Sequence, residues 1–118
     1  MIDPDFAHRF AAAWIDAWNR HDLDAILAHY ADDFTMRSPL IAQFAGVSSG
    51  RLSGKGAVGA YWAEALRRLP QLHFHLLHVF CGVDSLLLHY QGARGPAAEW
   101  FEFGPDGRVV QAAAHYAA

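Results

Sequence analysis

The spacing of apolar residues is mainly helical before Pro70 and strand-like after it, and that change restricts the fold more than any other feature. In the first part, apolar side chains recur at helical spacing in two long runs. Phe6, Phe10, Trp14, Ala17 and Trp18 form one such run, and Ala57, Tyr61, Trp62, Ala65, Leu66 and Leu69 another. Beyond Pro70 the pattern becomes short apolar stretches between turn residues: LHFHLLHVF, SLLLHYQG, AAEWFEF and RVVQAAAHY. Such segments read as an antiparallel β-meander. Helices first and strands afterwards dictate an α+β domain with the helices packed on one face of the sheet. A chain of 118 residues favours one domain, 1–118.

Local signals divide the helical part. Asp3-Pro4 supplies a cap and a first-turn proline for the first helix. Residues 19–21, Asn-Arg-His, break its pattern, and Asp22 caps a short second helix with Leu23, Ile26, Leu27 and Tyr30 inward. After Asp33 the stretch FTMRSPL reads as a strand ending near Pro39. IAQFAGVSSGRLSG reads as a loop, or a loop with a short strand. The third helix is expected from Lys55 to Leu69, stopped by Pro70. GPDG is a turn with a mechanism: Pro105 presets φ, Asp106 bonds nearby backbone and Gly107 accepts positive φ.

Composition excludes several functions. Four Trp and eight Phe among 53% hydrophobic residues suit a packed core, not a disordered chain. Nine basic and twelve acidic residues, with no basic stripe, argue against a nucleic-acid partner. No apolar run is long enough for a helical membrane span. The N-terminus lacks an export pattern, and the lone Cys81 excludes an internal disulfide, so a cytoplasmic location is expected. GKGAVG, residues 54–59, spells a dinucleotide fingerprint, but no buried strand precedes it and no acidic residue follows at the ribose-binding distance. No cofactor is expected.

The element order and the motif AWNRHDLDAILAHYADDFTMRSP resemble the nuclear transport factor 2-like superfamily, and within it the SnoaL-like polyketide cyclases and ketosteroid isomerases. The resemblance extends from the first helix to FEFGPDGRVV. It implies three N-terminal helices packed on a curved antiparallel β-sheet, a cystatin-like cone with an apolar pocket inside. It also implies that Asp32 and Asp33 shape the turn from second helix to first strand and are not catalysts. Function is not implied as firmly, because this scaffold hosts several chemistries.

Carried over residue by residue, the isomerase's first-helix Tyr falls on Trp14, and its base, an Asp before the strand's Pro, falls on Ser38. Indole donates one hydrogen bond but is no acid, and an unactivated hydroxyl is no general base. The oxyanion Asp falls on Glu99, which keeps a carboxyl. Strand alternation puts Glu99, Phe101 and Phe103 on one face, which the resemblance turns into the cone, with Trp100 and Glu102 on the other. A carboxyl among aromatic rings loses solvation, so its pKa rises and it can act as a proton shuttle or neutral donor. Glu99 is therefore the catalytic candidate. Trp14, Tyr30, Met36, Ser38, Tyr61 and Trp62 are candidate substrate contacts, with Leu88, Tyr90, Phe101, Ala112 and Ala114 from the later strands.

The expected function is proton-transfer chemistry (isomerisation, cyclisation or hydration) on a small apolar ligand bearing a carbonyl or hydroxyl. The rival is a non-catalytic ligand-binding or dimerisation module. A metal-dependent reading would use His73 and His75, expected to share one strand face with His78 on the other; no metal is expected. Leu87, His89, Trp100, Ala113 and His115 share the outer sheet face, which suggests a homodimer.

Overall fold

The computed structural model describes all 118 residues. Helix α1 (Pro4–Asn19) starts where Asp3 accepts a hydrogen bond from the Phe6 amide at 3.3 Å, with Pro4 in the first turn. It ends at Arg20, and His21 takes a left-handed φ of 54° that redirects the chain. Asp22 then accepts from the Ala25 amide at 3.1 Å and opens α2 (Leu23–Leu27). Strand β1 (Tyr30–Arg37) follows, then α3 (Pro39–Ala45), β2 (Arg51–Ser53) and α4 (Lys55–Arg68). The meander is β3 (His75–Cys81), β4 (Ser85–Gly92), β5 (Gly95–Phe103) and β6 (Val109–Tyr116).

The architecture is α+β, and it differs in three respects from the reading above. First, there are four helices: the segment after Pro39 is α3, not loop. Ser38 caps it by accepting from the Leu40 amide at 3.1 Å, Pro39 fills its first turn, and Gly46 ends it at φ 72°. Second, β1 begins at Tyr30, so Asp32 and Asp33 lie on an exposed stretch of strand and not in a turn. Asp32, 91% exposed at its side chain, meets Lys55 at 3.6 Å. Third, the sheet is mixed. Its order is β2-β1-β6-β5-β4-β3, and β1 runs parallel to β6 while every other pair is antiparallel. The β1–β6 pairing joins the N-terminal hairpin to the meander and makes one six-stranded surface.

The core lies between the helices and one sheet face. In α1, Phe10, Trp14, Ala17 and Trp18 are buried; in α4 the buried row is Val58, Trp62 and Leu66. Ala57, expected inward, is exposed, because the helix presents the row one residue later. Tyr61, Ala65 and Leu69 flank that row and face the cavity described below. Asn19 fixes the far end of α1 to the chain entering β3: its amide donates to the Phe74 carbonyl at 2.9 Å and its oxygen accepts from the Phe74 amide at 2.7 Å. At the GPDG turn, Asp106 accepts from the Arg108 amide at 3.0 Å and Gly107 has φ 79°, as read from the sequence.

Candidate functional site

Alternation along β5 decides the site. Ala97, Glu99 and Phe101 point to the helices and are buried, whereas Trp100 and Glu102 point outward. Neighbouring strands add their own inward residues in register, Leu88 and Ala114 beside Glu99 and Tyr90 beside Ala97. Glu99 is therefore 4% exposed, at the floor of an apolar hollow. The Tyr90 hydroxyl donates to its Oε1 at 3.2 Å. Burial pushes the Glu99 carboxyl up to about 8, and the Tyr90 hydrogen bond pulls weakly the other way. At neutral pH the group is mostly the uncharged acid.

An inner cavity of about 100 Å³ reaches Glu99. Of the candidates from sequence, Trp14, Met36, Ser38, Tyr61, Trp62, Tyr90 and Ala114 line it together with Glu99. Tyr30, Leu88, Phe101 and Ala112 are fully buried behind that wall and do not line it. Tyr30 has a supporting role, since the Trp14 Nε1 donates to its hydroxyl at 3.0 Å. The Trp14 indole is thereby committed to the core and not to Glu99. The Ser38 hydroxyl accepts the capping bond of α3 and keeps its own proton for the phenols of the wall.

Several wall residues escaped the sequence reading. Trp18, Leu72, Phe74 and Tyr116 line the inner cavity, as do Leu40 and Arg94, which also line a second, adjoining hollow. Tyr116 follows from parity, because it continues the inward row of Ala112 and Ala114. Leu40 follows from the missed α3. Arg94 sits in the β4–β5 turn, where no periodicity applies. Burial, then the Glu99 charge, raises the phenol pKa of Tyr61 and of Tyr116, and the Ser38 hydroxyl opposes both shifts. The ionisable groups of the wall are thus a set of neutral phenols, one neutral acid and one guanidinium.

Asp32 and Asp33 contribute nothing to this wall. Nor do the histidines. A bulge in β3 between Leu76 and His78 puts His75 and His78 on the same face, correcting the opposite parity expected from plain alternation. His73 precedes the strand. His78 Nδ1 lies 3.1 Å from His89 Nδ1, and no group of three or more His, Cys, Asp or Glu side chains is placed to hold a metal ion. The glycines of GKGAVG open α4 and Gly59 packs against Leu27.

The fold has clear relatives. A SnoaL-like protein of unknown function from Burkholderia thailandensis is 61% identical, with 99% of this chain and 98% of that chain covered and a TM-score of 0.96. A cystatin-like-fold protein of unknown function from Methylobium petroleophilum is 16% identical, over 99% of this chain and 79% of that one, at TM-score 0.77. A SnoaL-like family protein from Agrobacterium tumefaciens, provisionally named an isomerase, is 13% identical, over 93% and 96%, at TM-score 0.72. No functionally curated protein matches the chain. The family model for the SnoaL-like domain matches residues 11–116. The chain belongs to the SnoaL-like family, on an NTF2-like fold.

Proposed function

We propose that the protein is a small-molecule enzyme of the SnoaL-like type that moves protons on an apolar, carbonyl- or hydroxyl-bearing ligand, with Glu99 as the proton-transfer group. The observation that carries this reading is a buried carboxyl facing a cavity, held largely protonated at neutral pH and touched by one phenol. No second carboxylate lines the inner cavity, so Glu99 has both duties. As the acid it gives its proton to a carbonyl oxygen. As the resulting carboxylate it takes a proton from the adjacent carbon, which leaves an enol and restores the acid. Isomerisation follows if the proton returns at another carbon; cyclisation or hydration follows if the enol or the polarised carbonyl meets a second reactant. Apolar walls strengthen each of these hydrogen bonds by excluding water.

Solvent-deuterium incorporation at the α-carbon of a panel of small ketones, followed by NMR, tests this. Wild type should exchange them and Glu99→Gln should not, while still binding them. Binding without exchange in both proteins would select the second reading, a non-catalytic ligand-binding module. That reading draws on Trp14 and Ser38, which occupy the isomerase-like positions with side chains that make structural hydrogen bonds.

The same proposal includes a homodimer through the outer sheet face, where Leu87, His89 and Trp100 are only half buried and Phe80 is 52% exposed. Sedimentation analysis checks it, with a monomer as the contrary result. A cytoplasmic setting accords with a single free, exposed thiol at Cys81. No helix is long and apolar enough to cross a membrane.

A further inference from the structure

Beyond the Glu99 chamber, a second hollow of about 310 Å³ shares six wall residues with it: Leu40, Tyr61, Ala65, Leu69, Ala93 and Arg94. It adjoins the inner cavity and opens between α3, the C-terminal half of α4 and the β4–β5 turn. Its walls are mostly apolar, and Phe44 from α3 is 53% exposed there. The charges at this mouth are unbalanced. Glu64 is engaged by both neighbouring cations, Arg67 at 2.6 Å and Arg68 at 2.8 Å, and is held ionised well below the usual range, at about 2. Arg94 has no carboxylate partner. Its guanidinium rests over the Phe44 ring, 5.6 Å from the centroid, which holds it across the opening without neutralising it. The mouth is thus locally cationic on a chain whose formal charge is −3.

We infer that Arg94 is a specificity-determining residue that takes the anionic end of an amphipathic ligand, so that the substrate class is an apolar ring or chain bearing a carbonyl at one end and a carboxylate at the other. The inference rests on the Glu99 reading and extends it. Glu99 lies four residues along β5 from Gly95, which follows Arg94; that is about 13 Å of strand. A ligand lying along the wall between them buries its apolar middle against Tyr61, Ala65 and Leu69, presents its carbonyl to Glu99 and leaves its anion beside the guanidinium. A planar guanidinium suits a carboxylate because it can donate two parallel hydrogen bonds. The neutral state of Glu99 serves the same arrangement, since an ionised Glu99 would repel an incoming anion.

A matched pair of probes tests the inference: 9-oxodecanoate, ionised at pH 7, whose apolar methylene chain separates the ketone from the carboxylate, and its neutral amide, with affinities measured by calorimetry. Wild type should prefer the acid by about tenfold, the worth of one charge-assisted contact. Arg94→Gln should remove that preference, lowering affinity for the acid towards that for the amide. Arg68→Gln should keep it, because the Arg68 guanidinium is tied to Glu64, and Glu99→Gln should keep it while losing deuterium exchange at the carbon next to the ketone. Equal affinities for acid and amide in wild type would overturn the anion assignment and leave the Glu99 reading standing. A preference that survives Arg94→Gln would also overturn it. Failure of both probes to bind would bring down the ligand class and the pocket reading together.

Discussion

Replacing Glu99 with Gln should abolish this protein's largest loss of stability on going to alkaline pH. The carboxyl is raised from 4.5 to about 8 by burial in the fold, whereas in the unfolded chain it titrates near its ordinary value. Between those values the native state holds a proton that the unfolded state has lost. Stability due to the neutral acid is therefore fully present below about pH 4.5 and drains away as pH rises, completely so above about pH 8. At about 1.4 kcal/mol per pKa unit, the loss reaches about 5 kcal/mol at most, and less where water or a backbone shift relieves the charge. Gln keeps the shape and the acceptor for Tyr90 without a titrating proton, so Glu99→Gln should lack this decline over the same range. His29 titrates in both proteins, and burial lowers its pKa, so its contribution runs the opposite way and cancels in the difference. Thermal melts from pH 5 to 9 provide the assay. With roughly 3–6 °C per kcal/mol for a domain of this size, the variant should melt close to wild type at pH 5 and at least 5 °C above it at pH 9. Parallel curves across the whole range would refute the buried-acid argument.

Other substitutions probe the supporting structure. Tyr90→Phe removes the hydrogen bond that holds the Glu99 pKa down, so the carboxyl should titrate higher than in wild type, as followed by NMR. Trp14→Phe strands the buried Tyr30 hydroxyl and should cost about 1–3 kcal/mol in urea unfolding. Asp22→Ala deletes the α2 cap and should cost about 1 kcal/mol by the same measurement. Asp32→Asn should stay within about 0.5 kcal/mol of wild type and leave activity unchanged, because its ion pair is exposed and off the cavity.

Much of this architecture was legible because short-range rules dominate it. Caps at Asp3 and Asp22, the Gly107 turn and the parity of β5 are each decided by a few neighbouring residues, and together they place Glu99 inward. Helix α3 is legible too, in Ser38-Pro39 followed by apolar residues and Gly46, but a proline ends a strand as readily as it opens a helix. The parallel pairing of β1 with β6 is long-range, and no local signal in either strand announces it. The β3 bulge is similarly silent: two residues opposite one partner change parity without changing composition. For the site, alternation finds the floor and much of the wall. It does not separate residues that line a cavity from those packed one layer behind, which is why Tyr30, Leu88, Phe101 and Ala112 joined the candidates. Arg94 was out of reach, because it sits in a turn, where no periodicity sets a side chain's direction, and its contact with Phe44 of α3 is long-range.

The state of one proton is the point on which the chemistry turns. Selective ¹³C labelling of glutamate carboxyls and an NMR pH titration, with Glu99→Gln used to assign the resonance, measures it directly. The account predicts a Glu99 midpoint near 8. A midpoint near the ordinary glutamate value would mean a solvated, ionised side chain, and with it the proposed proton transfer and its ligand class would fall.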